Sequence, residues 1–243
     1  NLTCCVDAMS SFGAVPLDMM EDAIHFCAAS SNKNIQGMAG VGIVLAQQEA
    51  MNSLKEVPKR SVYLDLYSHY AYLNAQNQAL FPPPVQTIYA LKQALMELMQ
   101  EGVSKRYKRY QDNWKTLHTC ITQHGFDHLI DIKHHAKLIT SYIIDPTRSF
   151  SFDEFHDYLY RRHITIYPGK VAEFQTFRLA TIGALNEDDL NYISDVALLK
   201  LYIGGLNIHF GTQASYLIGG TFSDGTNMRD DIYYVNINGV NTW

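Results

Sequence analysis

Three short apolar runs, separated by turn residues, occupy the first part of the chain. They lie in the segments LTCCVDAM (2–9), MMEDAIHFCAAS (19–30) and VGIVLAQ (41–47). Short apolar runs between glycines and small polar residues are typical of strands that are buried on both faces. We therefore expect an α/β fold with a mixed or parallel sheet, in which the first strand is buried.

The middle of the chain is predicted to be helical. After the prolines at 82–84, apolar residues recur at intervals of three and four through residues 86–102, and Gly102 ends the pattern. A second helix is predicted over residues 110–125 on the same grounds. The side chains expected on the apolar faces are Ile88, Leu91, Leu95, Leu98 and Met99 in the first helix, and Tyr110, Trp114, Leu117 and Ile121 in the second.

A small α+β unit is predicted after these helices. Strand and helix patterns alternate over residues 137–145, 151–163, 164–168, 176–183 and 186–200. Asn186, followed three residues later by Asp189, is a suitable start for the last helix. Beyond about residue 200 the helical pattern ends, and β-forming residues alternate with Gly, Asn and Asp.

The composition limits the classes of partner. The 243 residues carry a formal net charge of −5, which gives no general attraction for nucleic acid or an anionic membrane. No apolar stretch is long enough to cross a bilayer. The four cysteines and the histidines lack ligand spacing. We expect no nucleic-acid, membrane or metal partner, a cytoplasmic location, and free buried thiols.

One lysine and one aspartate stand out as candidates for chemistry. Lys33 lies in the segment SSNKNIQGMAGVG (30–42), directly after an apolar run, and Asp7 ends the first predicted strand. A carboxylate that closes a buried strand needs a cation or an N–H group as partner. An amine and a carboxylate at the ends of neighbouring strands suit pyridoxal phosphate (PLP). This cofactor forms a Schiff base with an amine and needs a carboxylate beside its ring nitrogen.

The segments VDAMSSFGAVPLD (6–18) and SSNKNIQGMAGVGIVLA (30–46) resemble the class V, fold-type I PLP-dependent aminotransferases. IYPGK (166–170) and FRLATIG (177–183) agree in order, and the resemblance covers about residues 1–197. DAMSSFG and IYPGK resemble the branch that uses 2-aminoethylphosphonate. The implied fold class is α/β, the C-terminal half of a fold-type I PLP transferase. Its predicted parts are a partial PLP-binding large domain (1–90), a small domain (91–200) and a β-rich extension (201–243).

The resemblance also implies a role for five residues. Lys33 would form the Schiff base and then move a proton, which requires the amine to be neutral part of the time. Asp7 would pair with the pyridinium nitrogen, Met9 would pack on the ring face, and Asn32 would contact the cofactor phosphate. Arg178 in FRLATIG would bind the acidic end of the substrate, a role suited to its forked donors.

The chain departs from the family pattern in three places. The family has a long stretch before the aspartate motif that supplies further strands and the phosphate-binding turn, so we expect exposed apolar strand faces here. Pro82 stands where the family has a hydroxyl-bearing residue that reaches the cofactor phosphate of the neighbouring subunit, and Val85 replaces a threonine. The extension at 201–243 resembles a single kelch repeat.

Three functions are compatible with these features. The resemblance implies amino transfer from 2-aminoethylphosphonate to pyruvate, by a homodimer with PLP and with small molecules as its substrates. One alternative is another class V activity, such as alanine– or serine–glyoxylate transamination. The other alternative is a non-catalytic remnant whose kelch-like end binds protein partners.

Overall fold

The computed structural model of the chain describes residues 2–148, 150–169 and 175–202. It contains two compact units, Asn1–Ser104 and Lys105–Trp243. The division predicted from the sequence, with boundaries near residues 90 and 200, stays a prediction. Its kelch-like part lies outside the described residues from residue 203 onward.

A three-stranded mixed sheet forms the centre of the first unit. Its strands are β1 (Cys5–Asp7), β2 (Phe26–Ser30) and β3 (Gly42–Ala46), in the order β1-β2-β3. β1 runs parallel to β2, with Asp7 opposite Ala28, whereas β3 is antiparallel to β2. The predicted mixed α/β sheet is therefore present, and all three apolar runs contribute a strand.

The burial predicted for these strands is wrong in part. β2 buries Cys27 and Ala29 on one face, but Val44 and Leu45 of β3 are 40% and 38% exposed, and β1 is largely exposed. β1 and β3 are the two edges of the sheet, so each has a strand neighbour on one side only. Exposed apolar strand faces were also expected from the departures in the family pattern.

The cysteine prediction needs the same correction. All four thiols are free, and Cys27 and Cys120 are buried as expected. Cys4 and Cys5 are exposed, because Cys5 begins the edge strand β1 and Cys4 directly precedes it.

Three helices follow in the first unit: α1 (Gln48–Ser53), α2 (Leu66–Gln76) and α3 (Val85–Glu101). The sequence pattern did not predict α2, which Asp65 caps by accepting a hydrogen bond from the Ser68 backbone N–H at 2.7 Å. α3 begins after the prolines and ends at Gly102, as predicted.

The buried face of α3 differs from the predicted one. Ala94 and Leu98 are buried with Ile35, and Leu91 packs against them. Ile88, Leu95 and Met99 are exposed, with Met99 82% exposed.

The second unit contains the α+β arrangement predicted from the sequence. Its elements are α4 (Val103–Gln123), β4 (Ile139–Ile143), α5 (Phe152–Tyr160), β5 (Tyr167–Pro168), β6 (Thr176–Ala180) and α6 (Glu187–Tyr202). The strands form an antiparallel sheet in the order β4-β6-β5.

A large apolar cluster fills the second unit. Phe155 of α5, Phe177 of β6 and Leu190 of α6 are each at most 1% exposed. All four predicted side chains of α4, Tyr110, Trp114, Leu117 and Ile121, are buried. Asn186 and Asp189 cap α6 reciprocally: each side chain accepts a hydrogen bond from the other residue's backbone N–H, at 3.0 and 2.9 Å.

Among the helices of the described residues, none is long and apolar enough to pass through a membrane.

Candidate active site

The loop after β1, residues 8–13, forms a tight turn. We call it the aspartate loop because it directly follows Asp7. Asp7 is exposed, and its Oδ1 accepts a hydrogen bond from the Met9 backbone N–H at 2.9 Å. The backbone N–H groups of Ser11 and Phe12 both donate to the Ala8 carbonyl, at 3.1 and 2.9 Å. These bonds fix the carboxylate at the carboxyl end of β1 and direct Met9 outward, where it is 38% exposed.

The segment after β2, residues 31–37, forms a closed turn that we call the lysine loop. Gln36 N–H donates to the Lys33 carbonyl at 2.9 Å, and Gly37 N–H donates to the Ser31 carbonyl at 2.8 Å. Gln36 has a φ of 64°, in the left-handed region. A Cβ at Gly37 would lie 2.9 Å from the Ser31 carbonyl oxygen, so this close approach requires glycine.

The topology of the sheet brings the two loops to the same end of their strands. β1 and β2 are adjacent and parallel, so both strands point their carboxyl ends the same way, about 4.8 Å apart. Asp7 is the last residue of β1, and Lys33 follows the last residue of β2, Ser30, by three positions. Four of the five predicted site residues therefore lie at or just beyond the carboxyl ends of β1 and β2. They are Lys33, Asp7, Met9 and Asn32.

The Lys33 side chain is exposed. Within the described residues, no hydrogen bond or ion pair engages its ammonium group. Asn32 is exposed as well. The Asp7 prediction rested on a buried strand, and this premise is wrong because β1 is an exposed edge strand. The carboxylate and the amine both face solvent in this chain.

Two polar residues that support the lysine loop were not found from the sequence. Ser31 is fully buried, and its Oγ donates to the Met38 carbonyl at 2.5 Å. Asn34 is fully buried, and its amide donates to the Ser10 carbonyl at 3.0 Å. The signal that could have found them is the run of small polar residues after an apolar strand, because such side chains often bond to nearby backbone.

Two further groups on β2 bear on the site. Burial raises the pKa of the Cys27 thiol, and the negative charge of Asp7 raises it further, so this thiol stays protonated and unreactive. The Ser30 hydroxyl, at the end of the strand, is buried and has no hydrogen-bond partner among the described residues.

The fifth predicted residue, Arg178, belongs to the second unit. It lies on β6, opposite Ser141 of β4 and Tyr167 of β5. Its Nε donates to the Pro168 carbonyl at 3.2 Å. Among the described residues no other hydrogen bond or ion pair engages the guanidinium, and its predicted role in substrate binding stays a prediction.

Sequence comparison defines the class of protein. The pattern of the aminotransferase class V family matches residues 1–173. The chain is 39% identical, over 197 residues, to a 2-aminoethylphosphonate–pyruvate transaminase from Lysinibacillus sphaericus, covering 81% of this chain and 53% of the relative. It is 40% identical over 201 residues to the transaminase of the same name from Bacillus mycoides, covering 82% and 54%.

Solved structures share the fold. An alanine–glyoxylate aminotransferase from Nostoc superposes with a TM-score of 0.72 at 18% identity, covering 82% of this chain and 54% of that one. A PLP-bound phosphoserine aminotransferase from Trichomonas vaginalis superposes with a TM-score of 0.64 at 16% identity, covering 80% and 53%. At these identities the likeness concerns the fold alone.

The chain therefore belongs to the class V aminotransferase family, and its fold is that of the fold-type I enzymes. The resemblance inferred from the motifs around Asp7 and Lys33 is confirmed. The chain spans about half the length of the curated relatives that it matches.

Proposed function

We propose that this chain takes part in PLP-dependent amino transfer from 2-aminoethylphosphonate to pyruvate, with phosphonoacetaldehyde and alanine as products. The observation that carries the proposal is the placement of Asp7 and Lys33 at the carboxyl ends of two adjacent parallel strands. The relatives that match at 39–40% identity are named for this reaction.

The residues at the carboxyl ends of β1 and β2 fit PLP in their chemistry. The set comprises an amine, a carboxylate, a thioether and an amide on loops whose backbones are held by hydrogen bonds, and all four side chains are exposed. Bound PLP would supply an aldehyde that condenses with amines and a ring that withdraws electrons from the carbon next to the amino group. Ring binding would take the thioether and the carboxylate partly out of water, which strengthens the ionic contact.

Each side chain then has a defined task. The Asp7 carboxylate would accept a hydrogen bond from the protonated ring nitrogen and keep the proton there. The Lys33 amine would attach the cofactor and would move the proton on and off the substrate carbon. Met9 would cover one apolar face of the ring, and the Asn32 amide would donate to the phosphate.

Arg178 is the proposed anchor for the phosphonate or carboxylate end of a substrate. Its planar guanidinium can donate two parallel hydrogen bonds to such an anion. One test is Arg178→Lys, which keeps the positive charge but cannot donate two parallel hydrogen bonds. We expect a higher KM for the amino donor with a smaller change in kcat. An unchanged KM would remove Arg178 from the proposal.

The first test of the proposed function is the attachment of PLP. Adding PLP to the purified chain should give the yellow absorbance that forms when a lysine amine condenses with the aldehyde. Borohydride reduction and peptide mapping should then locate the label on Lys33. The control is Lys55→Ala, which removes another exposed amine of the first unit and should keep the colour, whereas Lys33→Ala should lose it. A colourless wild-type chain, or a label elsewhere, would contradict the proposal.

The second test is the choice of amino donor. Alanine production from pyruvate with 2-aminoethylphosphonate should exceed amino transfer from alanine or serine to glyoxylate. Turnover with the glyoxylate pair and none with the phosphonate would instead support the other class V activity.

A non-catalytic role is the second candidate, and the exposure of both Asp7 and Lys33 favours it. In that case the chain binds no PLP, and its kelch-like end would bind protein partners. The PLP titration separates the two candidates, because only the enzymatic one requires colour on Lys33.

We also propose that the chain forms a homodimer and acts in the cytoplasm. Exposed apolar side chains on α3, such as Ile88 and Met99, support association. Sedimentation equilibrium should give a mass of twice 27.6 kDa, and a monomer at all concentrations would exclude the dimer.

A further inference from the structure

A buried side chain joins the lysine loop to the aspartate loop. Asn34, the residue directly after Lys33, is fully buried, whereas Lys33 itself is exposed. The Asn34 amide nitrogen donates to the backbone carbonyl of Ser10 at 3.0 Å. Ser10 follows Met9 in the aspartate loop, so this bond connects the segments that carry the candidate amine and carboxylate.

Each loop is closed mainly by bonds within itself. The first residue of each loop is also bonded outside it, since Ala8 N–H donates to the Ala28 carbonyl of β2 at 2.9 Å and Ser31 N–H donates to the Val41 carbonyl at 3.1 Å. The rest of the aspartate loop is held by the bonds from Ser11 and Phe12 to Ala8, and the rest of the lysine loop by the bonds to Ser31 and Lys33. Such local bonds fix the shape of a loop, but they do not fix its position relative to a neighbour. The Asn34–Ser10 bond does so, and apolar packing of Phe12 on Ile35 adds a less directional contact.

We propose that Asn34 is a positioning residue whose buried amide holds the lysine loop against the aspartate loop, so that the Lys33 amine and the Asp7 carboxylate keep one relative placement. The purpose of this placement rests on the proposed function, but the coupling itself does not require PLP. A buried amide left without its carbonyl partner is costly, so the bond is retained as long as the loops stay together.

The test is hydrogen exchange in the full chain without added PLP. Asn34→Leu has a similar volume and no donor. In this variant the amides of Ser11 and Phe12 should exchange about tenfold faster, while the amides of β2 should change by less than about twofold. The matched control is Leu91→Ala, which trims the cluster around Ile35 but keeps the Asn34 amide, and it should leave the ratio of loop to strand exchange unchanged.

Three outcomes overturn the inference. They are unchanged loop exchange in Asn34→Leu, equal acceleration in the loop and in β2, or loop acceleration of the same size in Leu91→Ala.

If Asn34→Leu does not fold by circular dichroism, the unmodified chain supplies the test. One proton of the ¹⁵N-labelled Asn34 side-chain amide should exchange slowly, and fast exchange of both protons overturns the proposal. The proposed function fails separately, on the absence of PLP colour.

Discussion

At the scale of single residues, the second unit contains a chain of buried polar contacts between α4 and β4. The Trp114 indole N–H donates to Thr140 Oγ1 at 2.8 Å, and Tyr142 Oη lies 3.0 Å from His118 Nδ1. Burial raises the pKa of the Tyr142 phenol far above its usual range, so the phenol stays protonated and shares a hydrogen bond with the His118 ring.

The Trp114–Thr140 bond gives the first prediction. Thr140→Val should lower the free energy of unfolding by about 1–3 kcal/mol, because it leaves a buried indole N–H without an acceptor. Trp114→Phe should also destabilise the fold. The double variant should lose less than the sum of the two single changes. Urea unfolding followed by far-UV circular dichroism measures all three.

The control for this cycle is Thr116→Val on the same helix. The Thr116 hydroxyl only bonds back to the Asp112 carbonyl at 3.4 Å, so its loss should cost less than about 0.5 kcal/mol. Strict additivity of the Trp114 and Thr140 changes would mean that the bond contributes nothing.

The roles of Lys33, Asp7, Met9 and Asn32 stay predictions. Residue types and spacing in the sequence singled out Lys33 and Asp7, and the family resemblance added Met9 and Asn32. These signals were not enough to find the Asn34–Ser10 bond. That bond joins positions 24 apart in the chain, and it exists only because β1 and β2 lie side by side. The burial of Asp7 was also misjudged, since a pattern of apolar residues does not say which strand becomes an edge.

At the scale of elements, the glycines around the lysine loop are not equivalent. Gly37 approaches the Ser31 carbonyl closely, whereas a Cβ on Gly42 would meet no atom within 4 Å. The sequence shows Gly37, Gly40 and Gly42 as one cluster and does not distinguish their roles. The difference arises because the lysine loop folds back on itself before β3 begins.

This difference gives the second prediction. Gly37→Ala should destabilise the first unit by about 1–3 kcal/mol and weaken PLP attachment to Lys33, because the new methyl group displaces the Ser31 carbonyl and breaks the bond that closes the loop. Gly42→Ala, the matched control, should be neutral within about 0.5 kcal/mol. Hydrogen exchange of the Gly37 region and the PLP titration measure the two effects. Equal behaviour of the two alanine variants would refute the closed turn.

α3 shows why its existence could be predicted while its buried face could not. Prolines before it and Gly102 after it define the helix. Apolar residues, however, lie on both sides: Leu91, Ala94 and Leu98 face the cluster around Ile35, whereas Ile88, Leu95 and Met99 are exposed. A helix that is apolar on two faces gives no single stripe, so the choice between the faces is made by the surrounding fold.

At the scale of the whole molecule, the two units differ in how well their apolar residues are covered. Among the described residues, most of the exposed large apolar side chains belong to the first unit. Those of the second unit are Ile130, Tyr167 and Tyr192. In the part of the chain that the structure describes, two apolar clusters of the first unit have three buried members each, whereas a cluster of the second unit has fourteen. Stability depends on buried apolar area, so the first unit should be the weaker one.

The third prediction is therefore unfolding in two steps. Hydrogen exchange at increasing urea should release the β2 amides before those of β6, with separate midpoints. PLP should move only the first midpoint upward, because it binds the folded first unit. Coincident midpoints for both strands would show instead that the chain unfolds as one cooperative body.

The same difference explains where prediction from the sequence succeeded. The second unit was predicted nearly element by element, since its helices and strands each bury one face and carry clear periodic patterns. In the first unit α2 was missed and the strands were judged too buried. β1 and β3 lie at the two sides of a three-stranded sheet, so their apolar side chains are only partly covered, and an apolar pattern in the sequence does not show this.

Three histidines of the second unit form a cluster that makes stability depend on pH. The His118 ring lies 4.5 Å from the Trp114 ring and 5.2 Å from that of His128, and the His135 ring lies 5.5 Å from the Trp114 ring. Burial lowers the pKa of His118, and the charges of His128 and His135 lower it further. Burial also lowers the pKa of His135, with smaller effects from His128 and Lys137.

The fourth prediction follows from the sign of these shifts. The ordinary pKa of histidine is 6.5, and the pKa values of these two histidines in the folded chain are lower. Between the lowered values and 6.5 the folded chain therefore binds fewer protons than the unfolded chain. Its free energy of unfolding consequently falls as the pH drops below about 6.5. The cluster also faces Lys137, which adds positive charge. It faces Asp131 as well, but this carboxylate is paired with Lys133 at 3.0 Å and so neutralises little of the positive charge on the histidines. Among the described residues, no salt bridge joins His118, His128 or His135 to a carboxylate.

Urea midpoints of the second unit, measured at about pH 7.5 and 5.5, test this account. The midpoint should be lower at the acidic pH, and His118→Gln should reduce the difference because it removes a group that resists protonation in the folded state. His134→Gln is the matched control, since His134 is exposed and makes no ring contact with the cluster. It should leave the difference unchanged. If both variants behave alike, the acid sensitivity arises outside the cluster, and the packing of His118 between Trp114 and Tyr142 has no part in it.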